Sequence, residues 1–187
     1  DIKRMPVAEK PFLEQVPERI AVDKPQKKVA FFVGCFFNFA LDGSAHSMVK
    51  VLTNNRCEVI IPKEQVCCGL PHYAYGDYET CKTLARKTID KFLNTGADAI
   101  LTGCGSCAGM LKLHYEELFK DEPSYLPKVQ EFCKKVVEFS EFLDGHIEFD
   151  KSKLKSSIPV KVTYHDPCHM VRTLKITAQP RKMIKSI

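Results

Sequence analysis

The placement of the cysteines constrains this chain more than any other feature, because most of them directly follow apolar segments. The 187 residues contain nine cysteines. Cys35 ends the segment VAFFVGC, Cys67 and Cys68 form a CCG turn after CEVIIP, and Cys104 and Cys107 follow ADAILTG in GCGSC. An odd number of cysteines, grouped in adjacent and CxxC pairs, favours a metal or redox site over a disulfide framework.

Apolar segments with the character of buried strands alternate with amphipathic segments along most of the chain. We predict strands at 29–35, 57–62, 97–103 and 160–168, and helices at 44–55, 77–93, 106–119 and 126–143. This alternation predicts an α/β fold, with a parallel sheet and helices on both faces. Ligands of such sheets bind beyond the carboxyl ends of the strands, so we expect the three cysteine-bearing loops to meet at one edge.

The rest of the chain suggests a simple organisation. The proline-containing residues 1–28 are predicted to form an extended linker, 29–150 a first domain, and 151–187 a connector followed by the truncated start of a second copy. The second copy is suggested because KVAFFVGC and VKVTYHDPC share an apolar segment, a turn and a cysteine. We find neither a bilayer-spanning apolar run nor a signal peptide, so we expect a cytoplasmic protein.

The net charge of +5 is concentrated near the carboxyl end. The segment from Lys151 onward is rich in Lys and Arg and contains a single acidic residue, Asp166. Such a segment is either a solvated basic face or a contact for an acidic partner or a membrane surface. Aromatic residues do not alternate with its basic residues, so we expect no nucleic-acid partner.

The chemistry of the five clustered cysteines favours an iron–sulfur centre. Iron–sulfur clusters take soft thiolate ligands. Gly69 provides the backbone freedom that lets Cys67 and Cys68 face one cofactor, and the CGSC turn places two thiols one helical turn apart at a helix N-terminus. A zinc site is the alternative, because four of the five thiols could bind zinc tetrahedrally.

The other cysteines carry weaker signals. Cys57, Cys81 and Cys133 fall at a strand start and within helices, and we interpret them as ordinary thiols. Cys168 is either an unpaired thiol or a ligand. Its polar neighbours are either close to a cluster or occupied with capping their own turn; they are His165, Asp166 and His169.

The cysteine pattern resembles the CCG cysteine-rich domain. That domain occurs, usually twice, in a subunit of heterodisulfide reductase and in iron–sulfur subunits of glycolate oxidase, lactate-utilisation proteins and anaerobic glycerol-3-phosphate dehydrogenase. The resemblance covers 29–187: one complete CCG half, then YHDPCHMVR, which is similar to the start of a second. It implies that an iron–sulfur cluster, either [4Fe–4S] or the non-cubane type, is bound by Cys35, Cys67, Cys68, Cys104 and Cys107. Residues 1–28 resemble the linker that follows a ferredoxin domain in some members.

The resemblance also implies a function. The chain would be an electron-transfer subunit, or a fragment of one, in a flavin-linked oxidoreductase. It would relay electrons from a flavoprotein dehydrogenase, together with other iron–sulfur subunits, toward a quinone, a membrane-bound acceptor or another carrier. We expect it in the cytoplasm, at most peripheral to the inner face of the cell membrane through partners. Two alternatives stay open: a catalytic subunit, similar to that of heterodisulfide reductase, whose non-cubane cluster cleaves disulfides, and a zinc-stabilised interaction module.

Overall fold

A computed structural model describes residues 7–150 and 160–186. Its strands are β1 (Arg19–Ile20), β2 (Lys27–Phe31), β3 (Cys57–Ile60), β4 (Ala99–Thr102) and β5 (Val136–Glu138). They form one sheet in the order β1-β3-β2-β4-β5. β1 is antiparallel to β3, and the other neighbouring strands are parallel. The predicted α/β class, with a mainly parallel sheet, is confirmed.

The helices follow the strands in the expected alternation. The α-helices of the described residues are α1 (Phe12–Gln15), α2 (Gly34–Phe39), α3 (Asp42–Asn54), α4 (Leu70–Ala74), α5 (Tyr78–Leu93), α6 (Gly105–Gly109), α7 (Tyr115–Leu118), α8 (Leu126–Lys135), α9 (Phe139–Gly145) and α10 (Ala178–Lys185). Two π-helical turns accompany them, π1 (Met110–His114) between α6 and α7, and π2 (His169–Thr173) before α10. The predicted helix at 106–119 is therefore the continuous run of α6, π1 and α7.

Helices cover both faces of the sheet. Successive strand residues point to opposite faces, so alternate residues belong to two different cores. Ala30 and Phe32 belong to a core packed by α5, α7 and α8. Val29, Phe31 and Val33 belong to a second core packed by α1, α3 and α9. All five side chains are fully buried, which explains why this segment is a continuous apolar run instead of an alternating one.

Local signals place the long helix α5 as predicted. The carboxylate of Asp77 accepts a hydrogen bond from the Thr80 main-chain N–H at 3.2 Å and so caps the first turn. Gly96 adopts a left-handed conformation (φ +62°) shortly after the helix ends, where a side chain would be strained. α5 thereby leads the chain back to the start of β4.

The predicted helix at 126–143 is wrong in its middle. The structure has α8, then β5, then α9 in this region. The β-branched pair Val136 and Val137 pairs with Ile100 and Leu101 of β4. Both valines are buried, and their pairing adds a parallel strand at the edge of the sheet.

The predicted strand at 160–168 is also wrong: 161–167 contain no strand, and π2 follows them. Val160 and Val162, the apolar residues at the start of this segment, are largely exposed. The predicted connector at 151–157 lies outside the described residues. The division into 29–150 and 151–187 stays a prediction.

The segment 7–28 is more ordered than the predicted extended linker. Phe12 of α1 is fully buried, and its ring meets Phe31 edge to face with centroids 6.3 Å apart. The Leu13 N–H donates to the Asn38 side chain in α2 at 2.9 Å. β1 then pairs with β3, so this segment belongs to the folded unit.

None of the helices among the described residues has both the length and the apolar character needed to cross a bilayer.

Candidate functional site

The three cysteine-bearing loops lie at the carboxyl ends of neighbouring parallel strands. Cys35 lies in the first turn of α2 after β2, and Cys67 and Cys68 lie in the loop after β3. Cys104 and Cys107 follow β4, in and beside α6. Because β3, β2 and β4 are adjacent and parallel, their loops share one edge of the sheet, as strand order predicted.

The CCG turn depends on its glycine. Gly69 adopts φ +87° and precedes α4, and its N–H donates to the Cys67 sulfur at 3.5 Å. A Cβ at this position would lie 2.9 Å from the sulfur of Cys81 on α5. Both the backbone conformation and the close contact with Cys81 therefore favour glycine here. Sequence reasoning missed this role of Cys81, because helical spacing alone did not indicate what the residue packs against.

The CxxC turn is a helix start capped by its own first cysteine. The Cys104 sulfur accepts a hydrogen bond from the Cys107 N–H at 3.5 Å. The pKa of Cys104 falls from the usual 9.0 to about 6. The thiol of Cys107 is the main cause of this lower pKa, the N–H groups of Cys107 and Ser106 add to it, and burial opposes them. Main-chain N–H groups thus help to stabilise a thiolate at this turn.

Thiols of the two turns contact each other. Cys107 and Cys67 both donate hydrogen bonds to Cys68, and these bonds lower the pKa of Cys68 despite its burial. The pKa values of the two donors rise correspondingly, that of Cys107 chiefly because it also donates to Cys104. The pKa shifts within this group therefore run in opposite directions, downward at Cys68 and Cys104 and upward at Cys67 and Cys107.

Cys35 lies at the outer end of the group. It is exposed, and with Cys67 it lines a cavity of about 100 Å³. The raised pKa of Cys67 is due first to its hydrogen bond with Cys68, and the nearby Cys35 adds the smallest of several contributions. Gly34 lets the end of β2 approach the CxxC turn, because a Cβ there would lie 3.2 Å from the Cys107 sulfur. The structure thus brings four of the five predicted residues into pairwise contact and places Cys35 beside them.

The thiols meet in pairs and not around one point. Within 7–150 and 160–186, no three His, Cys, Asp or Glu side chains are grouped to hold a single metal ion. A tetrahedral zinc site needs four ligands around one ion. An iron–sulfur cluster takes its thiolates at several iron atoms, and thiols on two adjoining turns are compatible with such a cluster.

Comparison with protein families identifies the architecture. A family model described as a cysteine-rich domain, CCG, matches two stretches of the chain, residues 29–112 and 162–187. The chain belongs to the CCG cysteine-rich domain family. The first stretch contains all five predicted site cysteines, and the second contains Cys168.

Curated relatives of this CCG chain include iron–sulfur proteins. It is 34% identical over 162 residues to a probable glycolate oxidase iron–sulfur subunit of Bacillus subtilis, covering 87% of this chain and 36% of the relative. It is 35% identical over 182 residues to an uncharacterized iron–sulfur protein of Methanocaldococcus jannaschii, covering 96% and 33%. Lactate utilization protein A of an Exiguobacterium species is 34% identical over 159 residues, covering 85% and 64%. The CCG chain thus spans about a third to two thirds of the length of these relatives.

The second matched stretch of the CCG chain packs against the CxxC turn. Cys168 is exposed at the start of π2, and the next residues lie on α6. Met170 is buried against Gly105, and the Nδ1 atom of His169 is buried near Gly109. Of the other two polar neighbours of Cys168, Asp166 forms an ion pair with Arg181 at 2.6 Å, and His165 is exposed.

Three of the remaining cysteines of the CCG chain are core thiols that donate to main-chain carbonyls, and one of them is Cys81, which donates to the Gly69 carbonyl at 3.5 Å. The thiol of Cys133 donates to the Leu111 carbonyl at 3.2 Å, and burial raises its pKa to about 12. The thiol of Cys57 donates to the Asn55 carbonyl at 3.7 Å, and burial raises its pKa to about 11. Both therefore stay protonated at neutral pH, as inert thiols do.

Proposed function

We propose that the chain binds an iron–sulfur cluster through Cys35, Cys67, Cys68, Cys104 and Cys107 and transfers electrons as a subunit, or part of one, of a flavin-linked oxidoreductase. The observation that carries the proposal is the contact between the CCG and CxxC turns. Cys68 and Cys107 are far apart in sequence, yet their thiols are hydrogen-bonded to each other at one sheet edge.

The donor chemistry supports a cluster. Thiolates are the usual ligands of iron in such clusters, and main-chain N–H groups that donate to the sulfurs help to set the reduction potential. Such N–H groups are already directed at the sulfurs of Cys67 and Cys104. Binding of iron would displace the protons of the thiols, as ligand deprotonation requires.

The exposure of the site supports electron transfer. Cys35 is exposed in the first turn of α2, and Phe36 and Phe39 of the same helix are about half exposed beside it. Cys68 and Cys107 are buried. A cluster held between them would have one side in the protein interior and one side near the surface, where a partner could accept or deliver electrons.

The relatives support the wider assignment. One is named as a glycolate oxidase iron–sulfur subunit and another as a lactate utilization protein. We infer a flavoprotein dehydrogenase and other iron–sulfur subunits as partners, with a quinone or another carrier as acceptor. The chemistry on the organic substrate would then lie on the partner, and the cysteines of this chain would be ligands and not nucleophiles.

Anaerobic purification with iron and sulfide analysis and EPR spectroscopy tests the proposal. We expect iron and acid-labile sulfide in the natural protein, and loss of most of both in C68S and C107S. The matched control is C133S, because the Cys133 thiol is buried and donates to the Leu111 carbonyl, and it should retain the cluster. Zinc without sulfide would support an interaction module instead, and protein without iron under these conditions would overturn the proposal.

A further inference from the structure

Tyr115 connects the two thiol-bearing turns. It starts α7, on the same continuous helical run as the CxxC turn, and it is fully buried. Its hydroxyl donates a hydrogen bond to the main-chain carbonyl of Cys68 at 3.0 Å. One side chain therefore joins the run that carries Cys104 and Cys107 to the turn that carries Cys67 and Cys68.

The ring and the hydroxyl of Tyr115 have separate tasks. The ring stacks on Phe132 of α8, with centroids 5.7 Å apart and an angle of 26° between the planes. A phenylalanine ring would fill this space equally well, so packing does not explain the oxygen atom. The hydrogen bond does, because the Cys68 carbonyl belongs to a residue that is only 5% exposed and would be difficult to satisfy with solvent.

The bond constrains the orientation of Cys68. Its thiol interacts with Cys107 on one side, while its carbonyl is held by Tyr115 on the other. The peptide that follows leads into Gly69, the most flexible residue type of the turn. Without the hydroxyl, the Cys68 carbonyl would lose its partner, and the backbone that carries the Cys68 sulfur would be held less firmly relative to the CxxC turn.

We propose that Tyr115 is a positioning residue, whose hydroxyl fixes the CCG turn at the distance from the CxxC turn that a shared cofactor needs. This inference rests on the proposed function. Removing a group that hydrogen-bonds to a metal ligand commonly lowers the metal affinity about ten- to a hundredfold.

The test compares Y115F with a matched tyrosine variant in the full chain, loaded with iron and sulfide under anaerobic conditions. The control is Y125F, because the Tyr125 hydroxyl reaches the Asp90 carboxylate at 3.4 Å instead of a cysteine. We expect Y115F to release iron to a ferrous chelator about ten- to a hundredfold faster and to show a changed EPR signal. Y125F should match the natural protein in both.

A second variant separates orientation from packing. F132L disturbs the stacked ring but keeps the hydroxyl, so it should lower thermal stability while leaving the EPR signal unchanged. Equal iron release and identical EPR signals in Y115F and the natural protein would overturn the role of Tyr115 but leave the proposed function intact.

Alkylation of the cluster-free protein gives a reading that does not need iron. Iodoacetamide labelling followed by peptide mapping should modify Cys68 about tenfold faster in Y115F than in Y125F, since loss of a net hydrogen bond costs roughly this factor. If the natural protein binds no iron, the proposed function fails, and equal labelling rates would then overturn the positioning role as well.

Discussion

Met170 packs directly against Gly105, between the two cysteines of the CxxC turn. A Cβ added at Gly105 would lie 2.8 Å from Met170 Cγ and 3.6 Å from the main-chain nitrogen of Met170. Met170, from the second stretch that matches the family model, thus contacts the backbone of the CxxC turn in the first stretch. The contact is possible because glycine has no side chain to separate the two helical segments.

Replacing Gly105 by alanine should loosen this contact. Met170 is 5% exposed and has little room to move, so we expect G105A to lower the free energy of unfolding by about 1–3 kcal/mol, as overpacked sites do. G43A is the matched control, because a Cβ at Gly43 of α3 would meet nothing within 4 Å. Urea unfolding of the cluster-free protein measures both. Equal stability of the two variants would contradict the contact.

The CCG turn permits a sharper comparison between two glycines. Gly69 and Gly76 both have positive φ, +87° and +81°, so alanine should strain each backbone by about 1–2 kcal/mol. Only at Gly69 would the new Cβ also meet the Cys81 sulfur. We expect G69A to be less stable than G76A by about a further 1–3 kcal/mol. In a C81A background this difference should shrink, and an unchanged difference would show that Cys81 is not the obstacle.

Much of the site could be predicted because it depends on strand order. The cysteines at 35, 67, 68, 104 and 107 follow strands that the apolar pattern identified, and parallel strands bring their following loops to one edge. The pattern could not show which thiols hydrogen-bond to each other. That depends on the left-handed turns at Gly34 and Gly69 and on the approach of α6, which are results of packing.

The wrong predictions also have physical causes. Residues 126–143 have helical periodicity throughout, yet Val136 and Val137 gain more from pairing with the open edge of β4 than from continuing the helix. The apolar residues Val160 and Val162 suggested a strand, but both side chains are largely exposed and 161–167 contain no strand. Phe12 is surrounded in the sequence by prolines and charged residues, so the pattern did not indicate a core position. Its burial against Phe31 in the structure does.

Burial of Phe12 predicts that the amino-terminal segment stabilises the fold. Its ring lies edge to face with Phe31 and also with His46, at centroid distances of 6.3 and 4.8 Å. We expect F12A to lower the free energy of unfolding by about 3–5 kcal/mol, the usual cost of removing a buried aromatic ring. V7A, at a side chain that is 73% exposed, should change it by less than about 0.5 kcal/mol. Equal free energies of unfolding for F12A and V7A would mean that the amino-terminal segment is a loose linker and does not stabilise the fold.

The buried carboxyl group of Glu138 should make stability depend on pH. Glu138 ends β5 with 6% exposure, and it accepts hydrogen bonds from the main-chain N–H groups of Ser140 and Glu141 at 2.8 and 3.2 Å. Burial raises its pKa above the usual value of 4.5, although these bonds oppose the shift. The folded state therefore holds the proton more tightly than the unfolded state, so this group's contribution to stability is complete below pH 4.5 and is lost as the pH rises through the folded-state pKa.

E138Q removes that titration while keeping an oxygen acceptor for the two N–H groups of α9. The free energy of unfolding of E138Q minus that of the natural protein should therefore increase steadily as the pH rises from about 4 toward neutrality, so that the variant gains stability relative to the natural protein. The other titrating groups are common to both proteins and cancel in the difference. Urea unfolding at a series of pH values measures this difference. The hydrogen bonds from Ser140 and Glu141 favour the charged form that burial disfavours, so a constant difference would mean that they balance burial, and a difference that falls with rising pH would mean that they outweigh it.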